Sequence, residues 1–397
     1  MTGQDDIVHV VMVVPGGVDR GGEERVIPAL LWLIEGLAQR HRVTVVALGQ
    51  EPVACRYELL GATVLNVAPE RPGPHRLARL LARAVRAAGQ NGRPDVVQGM
   101  WASVSGLAAV LAARRYRVPG LVHVAGGELV AMTDIGYGGG LGRGGRWIAA
   151  ATLRQADVVS VASQWMADHV TSHGYRVDAV IPLGVDTQRF HPAPDDADGC
   201  ACVGGGEHRR VHRLIAVADL NRIKDHATLL DALSALIRRH PELSRVELDL
   251  VGTDTLNGAV QLRGAELGLT VRAHGFVTSA RLAPLLRGAT LHVMSARHDA
   301  GPVAFLEAAA CGLATVGTTV GHLADLAAAE PPGAVAVPPR QADQLGEAIY
   351  GLLVDPARRQ AITEVARRFA LAHDRHATVD AFEAAYQRSR GQVSTHR

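Results

Sequence analysis

Short apolar runs bounded by turn-forming residues recur along the first half of the chain: Ile7–Val14, Val43–Leu48, Thr63–Val67, Val96–Gly99, Leu121–Val124 and Val158–Ala162. Between them, stretches such as Glu23–Arg40, His75–Ala88 and Val104–Arg114 place apolar residues at helical spacing. Strands that are apolar almost throughout, alternating with amphipathic helices, are what a parallel sheet covered on both faces requires. The pattern predicts a doubly wound α/β domain. From Gly184 to Arg210 the rhythm breaks. Phe190-His191-Pro192, the acidic Asp195-Asp196-Ala197-Asp198 and Gly204-Gly205-Gly206 read as a linker with an exposed loop.

The alternation resumes with strands near Leu214–Ala218, Val246–Val251, Val271–His274, Leu291–Met294 and Ala314–Gly317. Helices are predicted near Ala227–Arg239, Val260–Leu267, Ala280–Arg287 and Pro302–Cys311. Three more helical patterns, near Ala342–Leu353, Ala357–Ala370 and Val379–Arg388, close the chain. The last has no sheet of its own to cover and is expected to pack back on the first domain. The predicted organisation is a first Rossmann-like domain over 1–188, a second over 189–372, and a terminal helix over 373–390 returning to the first. Two open parallel sheets in tandem direct the carboxyl ends of their strands, where ligands bind, toward a cleft between the domains.

A chain of 397 residues with 48% hydrophobic and 20% charged residues can bury two cores, which excludes a disordered protein. No apolar run approaches the roughly 18 residues of a membrane span. A net charge of +2 with no basic arm points away from nucleic acid as a partner. The four cysteines, Cys55, Cys200, Cys202 and Cys311, are too few and too uneven for a disulfide framework, which fits a reducing compartment. Asp5 and Asp6 precede the first apolar run where a signal peptide would carry basic residues, so the N-terminus reads as the first buried strand of a cytoplasmic protein. Between Arg71 and Arg117 nine arginines face a single acid, Asp95. This reads either as the solvated outer face of a helix or as a patch for peripheral contact with an anionic inner-membrane surface.

Pro15-Gly16-Gly17 and Gly21-Gly22 follow the first strand. They are either a tight turn or a place where backbone N–H groups meet an anion at a helix start. The spacing Gly140-Leu141-Gly142-Arg143-Gly144-Gly145 matches a dinucleotide fingerprint literally, but no strand precedes it, so it is rejected as a cofactor site. With seven glycines, Gly136–Gly145 reads as a mobile loop. Lys224 is the sole lysine among 41 lysines and arginines. A solitary ammonium in an arginine-rich chain points to a need for a compact charge, here just past a strand end where phosphate oxygens would lie. Asp299-Ala300-Gly301-Pro302 precedes a helix carrying Glu307, with Pro302 marking its start. An acid within so apolar a run needs a partner, either a ribose diol or an arginine. Asp196 and Asp198 read as a solvated charge pair. Cys200, Cys202, His208 and His212 carry zinc-ligand chemistry at no standard spacing, so no metal is expected.

The run Ser295 to Gly312 resembles the E-x7-E signature of the GT-B glycosyltransferases of family 4, with Asp299 and Glu307 at its two acidic positions. Further matches follow in order: the Gly21-Gly22 loop, Pro94-Asp95-Val96-Val97, Ala156-Asp157-Val158-Val159 leading to Ser163, Ile181-Pro182-Leu183-Gly184-Val185-Asp186, Leu220 to Lys224, and Val320-Gly321-His322. The resemblance implies a retaining transferase that moves a sugar from a nucleotide diphosphate to an acceptor hydroxyl, without a bound metal or other cofactor. It implies that the second domain binds the nucleotide and the first the acceptor, with acceptor specificity on loops that include Gly126–Gly145.

By position, Lys224 would hold the diphosphate, Glu307 the ribose, and Gly301, Pro302 and Val303 the phosphate or sugar. His123 would approach the transferred sugar, and Gly21 with Gly22 would contact the donor. Asp299 is one methylene shorter than the usual Glu, and Asp219 stands where an Arg is usual, leaving Arg222 as a substitute cation. A sugar-nucleotide epimerase on the same architecture and a non-catalytic sugar-nucleotide binder are the rival readings.

Overall fold

The computed structural model describes residues 7–69, 75–193, 211–243 and 245–395. Arg71, Asp195, Asp196, Asp198, Cys200, Cys202 and His208, named above, lie outside the described residues. The chain forms two compact units, Met1–Leu183 with Arg375–Arg397, and Gly184–Asp374.

In the first unit, β1 (His9–Val14), β2 (Arg42–Ala47), β3 (Cys55–Leu59), β4 (Ala62–Asn66), β5 (Val96–Met100), β6 (Gly120–Val124), β7 (Val158–Val161) and β8 (Ala179–Val180) form one sheet. Its order is β3-β4-β2-β1-β5-β6-β7-β8, parallel except for the β3–β4 pair. The helices are α1 (Pro28–Ala38), α2 (Arg76–Ala88), α3 (Val104–Tyr116), α4 (Arg143–Gln155) and α5 (Gln164–Ser172). Every residue of β1, β5 and β6 is buried, which is why those strands read as unbroken apolar runs. The sequence pattern does not predict β3, an edge strand whose Arg56 and Glu58 face solvent.

The first helix starts at Pro28, not at Glu23. Residues 23–25 stay in the preceding loop, where Arg25 pairs with Asp19 and with Glu51. The glycine-rich stretch carries local structure. Met132 and Tyr137 bridge its base, and Gly139–Leu141 make a 3-10 turn. A Cβ at Gly138 would stand 1.9 Å from the Val130 carbonyl oxygen, and one at Gly145 2.1 Å from that of Gly139. Gly138, Gly139, Gly140 and Gly145 serve close backbone packing, while Gly136, Gly142 and Gly144 face open space.

In the second unit, β9 (His212–Val217), β10 (Val246–Val251), β11 (Thr270–Ala273), β12 (Leu291–Val293), β13 (Thr315–Thr318) and β14 (Val335–Val337) form a parallel sheet in the order β11-β10-β9-β12-β13-β14. Around it lie α6 (His226–Arg239), α7 (Ala259–Glu266), α8 (Ser279–Arg287), α9 (Val303–Ala310), α10 (Gly321–Ala327), α11 (Ala342–Val354) and α12 (Pro356–Ala372). Leu214, Leu229, Leu233, Leu250, Val316 and Ile349 belong to one buried cluster between sheet and helices. Both β14 and α10 are short and go unpredicted by periodicity.

The terminal helix, α13 (Arg375–Thr395), belongs to the first unit. Its Val379 packs so closely on α1 that a Cβ at Gly36 would lie 2.5 Å from it. Arg375 pairs with Glu35 at 3.0 Å, and the buried Tyr386 hydroxyl donates to Gln98 on β5. Among the described residues, no helix is long and apolar enough to cross a membrane.

Candidate functional site

In the second unit the chain steps from β9 through β10 to β11 on one side, then returns to β12 beside β9 and continues to β13 and β14 on the other. The loops after β9 and β12 therefore meet at the switch point, where open α/β sheets bind ligands. After β9, the Asp219 carboxylate accepts the Thr253 N–H at 2.9 Å, and the Asn221 side chain accepts the Lys224 N–H at 3.1 Å. Asp225, at φ 48°, caps α6 by accepting from the N–H and hydroxyl of Thr228. After β12, the Ser295 hydroxyl donates to the Lys224 carbonyl at 2.8 Å, and the Arg297 N–H to that of Ile223 at 2.8 Å. Two loops distant in sequence are thus laced together, and Lys224 is held between them.

The Lys224 ammonium meets the Asp299 carboxylate at 2.6 Å, the two side chains being 24% and 15% exposed. The other Asp299 oxygen accepts the Gly301 N–H at 3.3 Å. Pro302 is the N-cap of α9, one position earlier than the sequence reading places it, so the first-turn N–H groups begin at Val303. Gly321, at φ 51°, lets the start of α10 approach this loop: a Cβ there would lie 2.8 Å from the Asp299 carbonyl oxygen. The structure therefore brings Lys224, Asp299, Gly301, Pro302 and Val303 to one place.

Glu307 follows on α9 and is 5% exposed. Burial alone pushes its carboxyl up to about 7. Its side chain has no ion pair with an arginine among the described residues. Arg222 is exposed and likewise makes no ion pair among the described residues. Behind the site, His322 is wholly buried between Phe305 and Phe369, with both ring nitrogens unbonded and its pKa driven down to about 4 by burial.

The first-unit residues singled out in the sequence sit as follows. The Gly21 N–H donates to the Asp19 carboxylate at 2.9 Å and the Gly22 N–H to the Asp19 carbonyl at 3.0 Å. These bonds make the tight turn that is one of the two readings of this stretch, and α1 begins further on, at Pro28. His123 is 0% exposed, with Nδ1 3.0 Å from the Ser160 hydroxyl and its ring edge-on to Phe382 of α13 at 5.3 Å. Burial holds the imidazole neutral, down to about 3. The ring is covered on one side by Phe382 of the terminal helix.

What the sequence reading misses is a cavity of about 520 Å³ at the carboxyl ends of β1, β5 and β6. It lies at the switch point of the first sheet, between β1 and β5. Trp101, Ser103, Glu128, Tyr137 and Ile148 line it. Position directly after the strand ends is the signal that marks Trp101 and Glu128 in the sequence. Along α2, Arg76, Arg79 and Arg86 are exposed, while Arg83 donates to the Val67 carbonyl. Among the described residues, no three acidic, His or Cys side chains come together as a metal site.

Residues 26–184 match the family described as Glycosyl transferase 4-like domain, and residues 211–355 match Glycosyl transferases group 1. D-inositol 3-phosphate glycosyltransferase of Kineococcus radiotolerans is 29% identical over 225 residues, 53% of this chain and 51% of that protein. MMP alpha-(1->4)-mannosyltransferase of Mycolicibacterium hassiacum is 27% identical over 221 residues, 54% of this chain and 49% of that protein. The chain spans about half the length of these curated relatives. Sucrose-phosphate synthase from Thermosynechococcus elongatus has the same fold, with a TM-score of 0.77 at 19% identity over 96% of this chain and 98% of that one. So does HepE of Anabaena, solved with UDP and glucose, with a TM-score of 0.73 at 17% identity over 96% of this chain and 99% of that one. Each unit is matched in turn by a glycosyltransferase domain family, each is a Rossmann-like sheet, and the chain belongs to the family 4 glycosyltransferases of GT-B fold.

Proposed function

We propose that this protein is a retaining, metal-independent glycosyltransferase that moves a sugar from a nucleoside diphosphate sugar to an acceptor hydroxyl. The second unit holds the donor and the first the acceptor. The observation that carries the reading is the Lys224–Asp299 pair at the start of α9, at a sheet switch point, with Glu307 buried further along the same helix. Breaking a glycosyl–phosphate bond leaves extra negative charge on the diphosphate. A fixed ammonium and unpaired helix N–H groups stabilise that charge most when it is fully developed. In this reading Lys224 takes the diphosphate, helped by the exposed Arg222, and the loop Gly301-Pro302 brings the Val303 N–H at the start of α9 to phosphate or sugar oxygens. Asp299 sets the position of Lys224 and faces the sugar. Glu307 accepts from the ribose diol, which would supply the partner its burial lacks.

UDP-glucose is the donor to try first, because HepE was solved with it. The test is incubation of the purified chain with UDP-glucose and a panel of alcohols and glycosides, with products read by proton NMR. An α-linked glycoside alongside UDP supports the reading, and a β-linked one contradicts retention. Free sugar as the only product favours the epimerase, and saturable nucleotide binding without turnover favours a binding protein. Contact of Arg76, Arg79 and Arg86 with an anionic membrane surface is a separate proposal, tested by sedimentation with anionic vesicles.

A further inference from the structure

The cavity of the first unit has a chemistry of its own. Its volume of about 520 Å³ suits a ligand of several rings, and its walls include Trp101, Val104, Tyr137 and Ile148. Among the described lining residues there is no Lys, Arg or His. The start of α3, which could attract an anion, opens onto the cavity at Ser103 and Val104. A carboxylate already sits beside it. Glu128, 7% exposed, accepts the Ala102 N–H at 3.1 Å and the Gly126 N–H at 3.0 Å, tying the ends of β5 and β6 together. Burial pushes the Glu128 carboxyl up, and a phosphate brought into this space would meet this acid with no cation among the lining residues to offset its own charge, which is costly away from water. Outside, Trp147 is 60% and Leu141 37% exposed on the same short segment as the lining residues Gly145 and Ile148, a segment that also carries the exposed Arg143 and Arg146, which do not line the cavity.

Resting on the transferase reading, we infer that the acceptor held by this cavity is an uncharged molecule bearing an aromatic or other apolar ring system, and not a phosphorylated sugar or polyol. Trp101 and Tyr137 offer ring faces for stacking. Ser103 and the Glu128 carboxylate are the polar groups available to orient a hydroxyl.

The experiment is isothermal titration of the full chain with two probes of similar sugar content, phenyl β-D-glucopyranoside and glucose phosphorylated on its primary hydroxyl. The aryl glycoside is expected to bind at least about tenfold more tightly. In Ile148→Arg, a change at a half-buried position of α4 whose folding is checked by its melting temperature, that preference is expected to shrink or invert. Equal or tighter binding of the phosphorylated sugar, no binding of the aryl glycoside, or a preference untouched by Ile148→Arg would each overturn the inference. UDP-glucose is titrated separately into the wild type. If it does not bind, the transferase reading falls while the cavity result still stands, and a bound donor with the wrong probe preference sinks only the acceptor class.

Discussion

Glu307 is the residue at which stability and donor binding are most closely coupled. Its carboxyl sits at about 7 in the folded chain against an ordinary value of 4.5. Between those values the folded state binds more protons than the unfolded one, so this group makes stability fall as pH rises through the window, and above it the penalty is complete. The size is about 3 kcal/mol. In Glu307→Gln the penalty is expected to vanish, so that the variant gains stability over the wild type at about pH 8 more than at about pH 5 in urea denaturation. A ribose diol donating to the carboxylate favours its charged form. UDP affinity should therefore rise with pH across the same window in the wild type and stay flat in Glu307→Gln, whereas a flat wild-type profile would remove Glu307 from the ribose.

At this scale the sequence shows Lys224, Asp299 and Glu307 as unusual residues. It does not show that the first two pair, because 75 positions separate them and only the adjacency of β9 and β12 joins their loops. For the same reason the burial of His123 is illegible: the ring that covers it, Phe382, arrives on the last helix.

At the level of elements, the start of α10 supports the donor loop through a glycine that a side chain cannot replace cheaply. Gly321 combines φ 51° with close approach to the Asp299 carbonyl oxygen and to Pro302. Gly321→Ala is expected to cost about 1–3 kcal/mol of stability and to weaken UDP-glucose binding, as the loop carrying Asp299 shifts. Unchanged melting and unchanged affinity would show that the loop does not depend on this contact. The elements most legible in the sequence are the fully buried strands, where parallel pairing forces an unbroken apolar run. Those that escape it are edges and short pieces: β3 with its solvent-facing Arg56 and Glu58, the two-residue β8, the three-residue β14 and the seven-residue α10. In Gly136–Gly145 glycine serves freedom and close packing alike, and the close approach of Gly138 to the Val130 carbonyl and of Gly145 to the Gly139 carbonyl is not legible in composition.

For the whole molecule, the repeated doubly wound plan puts one candidate binding region at the switch point of each sheet, the cavity after β1, β5 and β6 and the Lys224 loop after β9. Both units also bury neutral histidines. His123 in the first unit, and His226, His292 and His322 in the second, are all pushed below 6.5 by burial, to about 3 or 4. The unfolded chain binds more protons than the folded one between those values and 6.5, so their contribution to stability is present above that range and is lost as pH falls through it. Four such groups outweigh the opposite trend of Glu307. The melting temperature is expected to drop steeply between about pH 7 and about pH 5, and an acid-insensitive melt would mean that these rings are less enclosed than described.

The central claim is that Lys224 and the start of α9 grip a diphosphate, and calorimetric titration of UDP-glucose into the wild type and Lys224→Ala tests it most directly. The claim predicts at least a tenfold loss of affinity, about 1.4 kcal/mol or more, in a variant that melts close to the wild type. Equal affinity in a folded Lys224→Ala chain would contradict it.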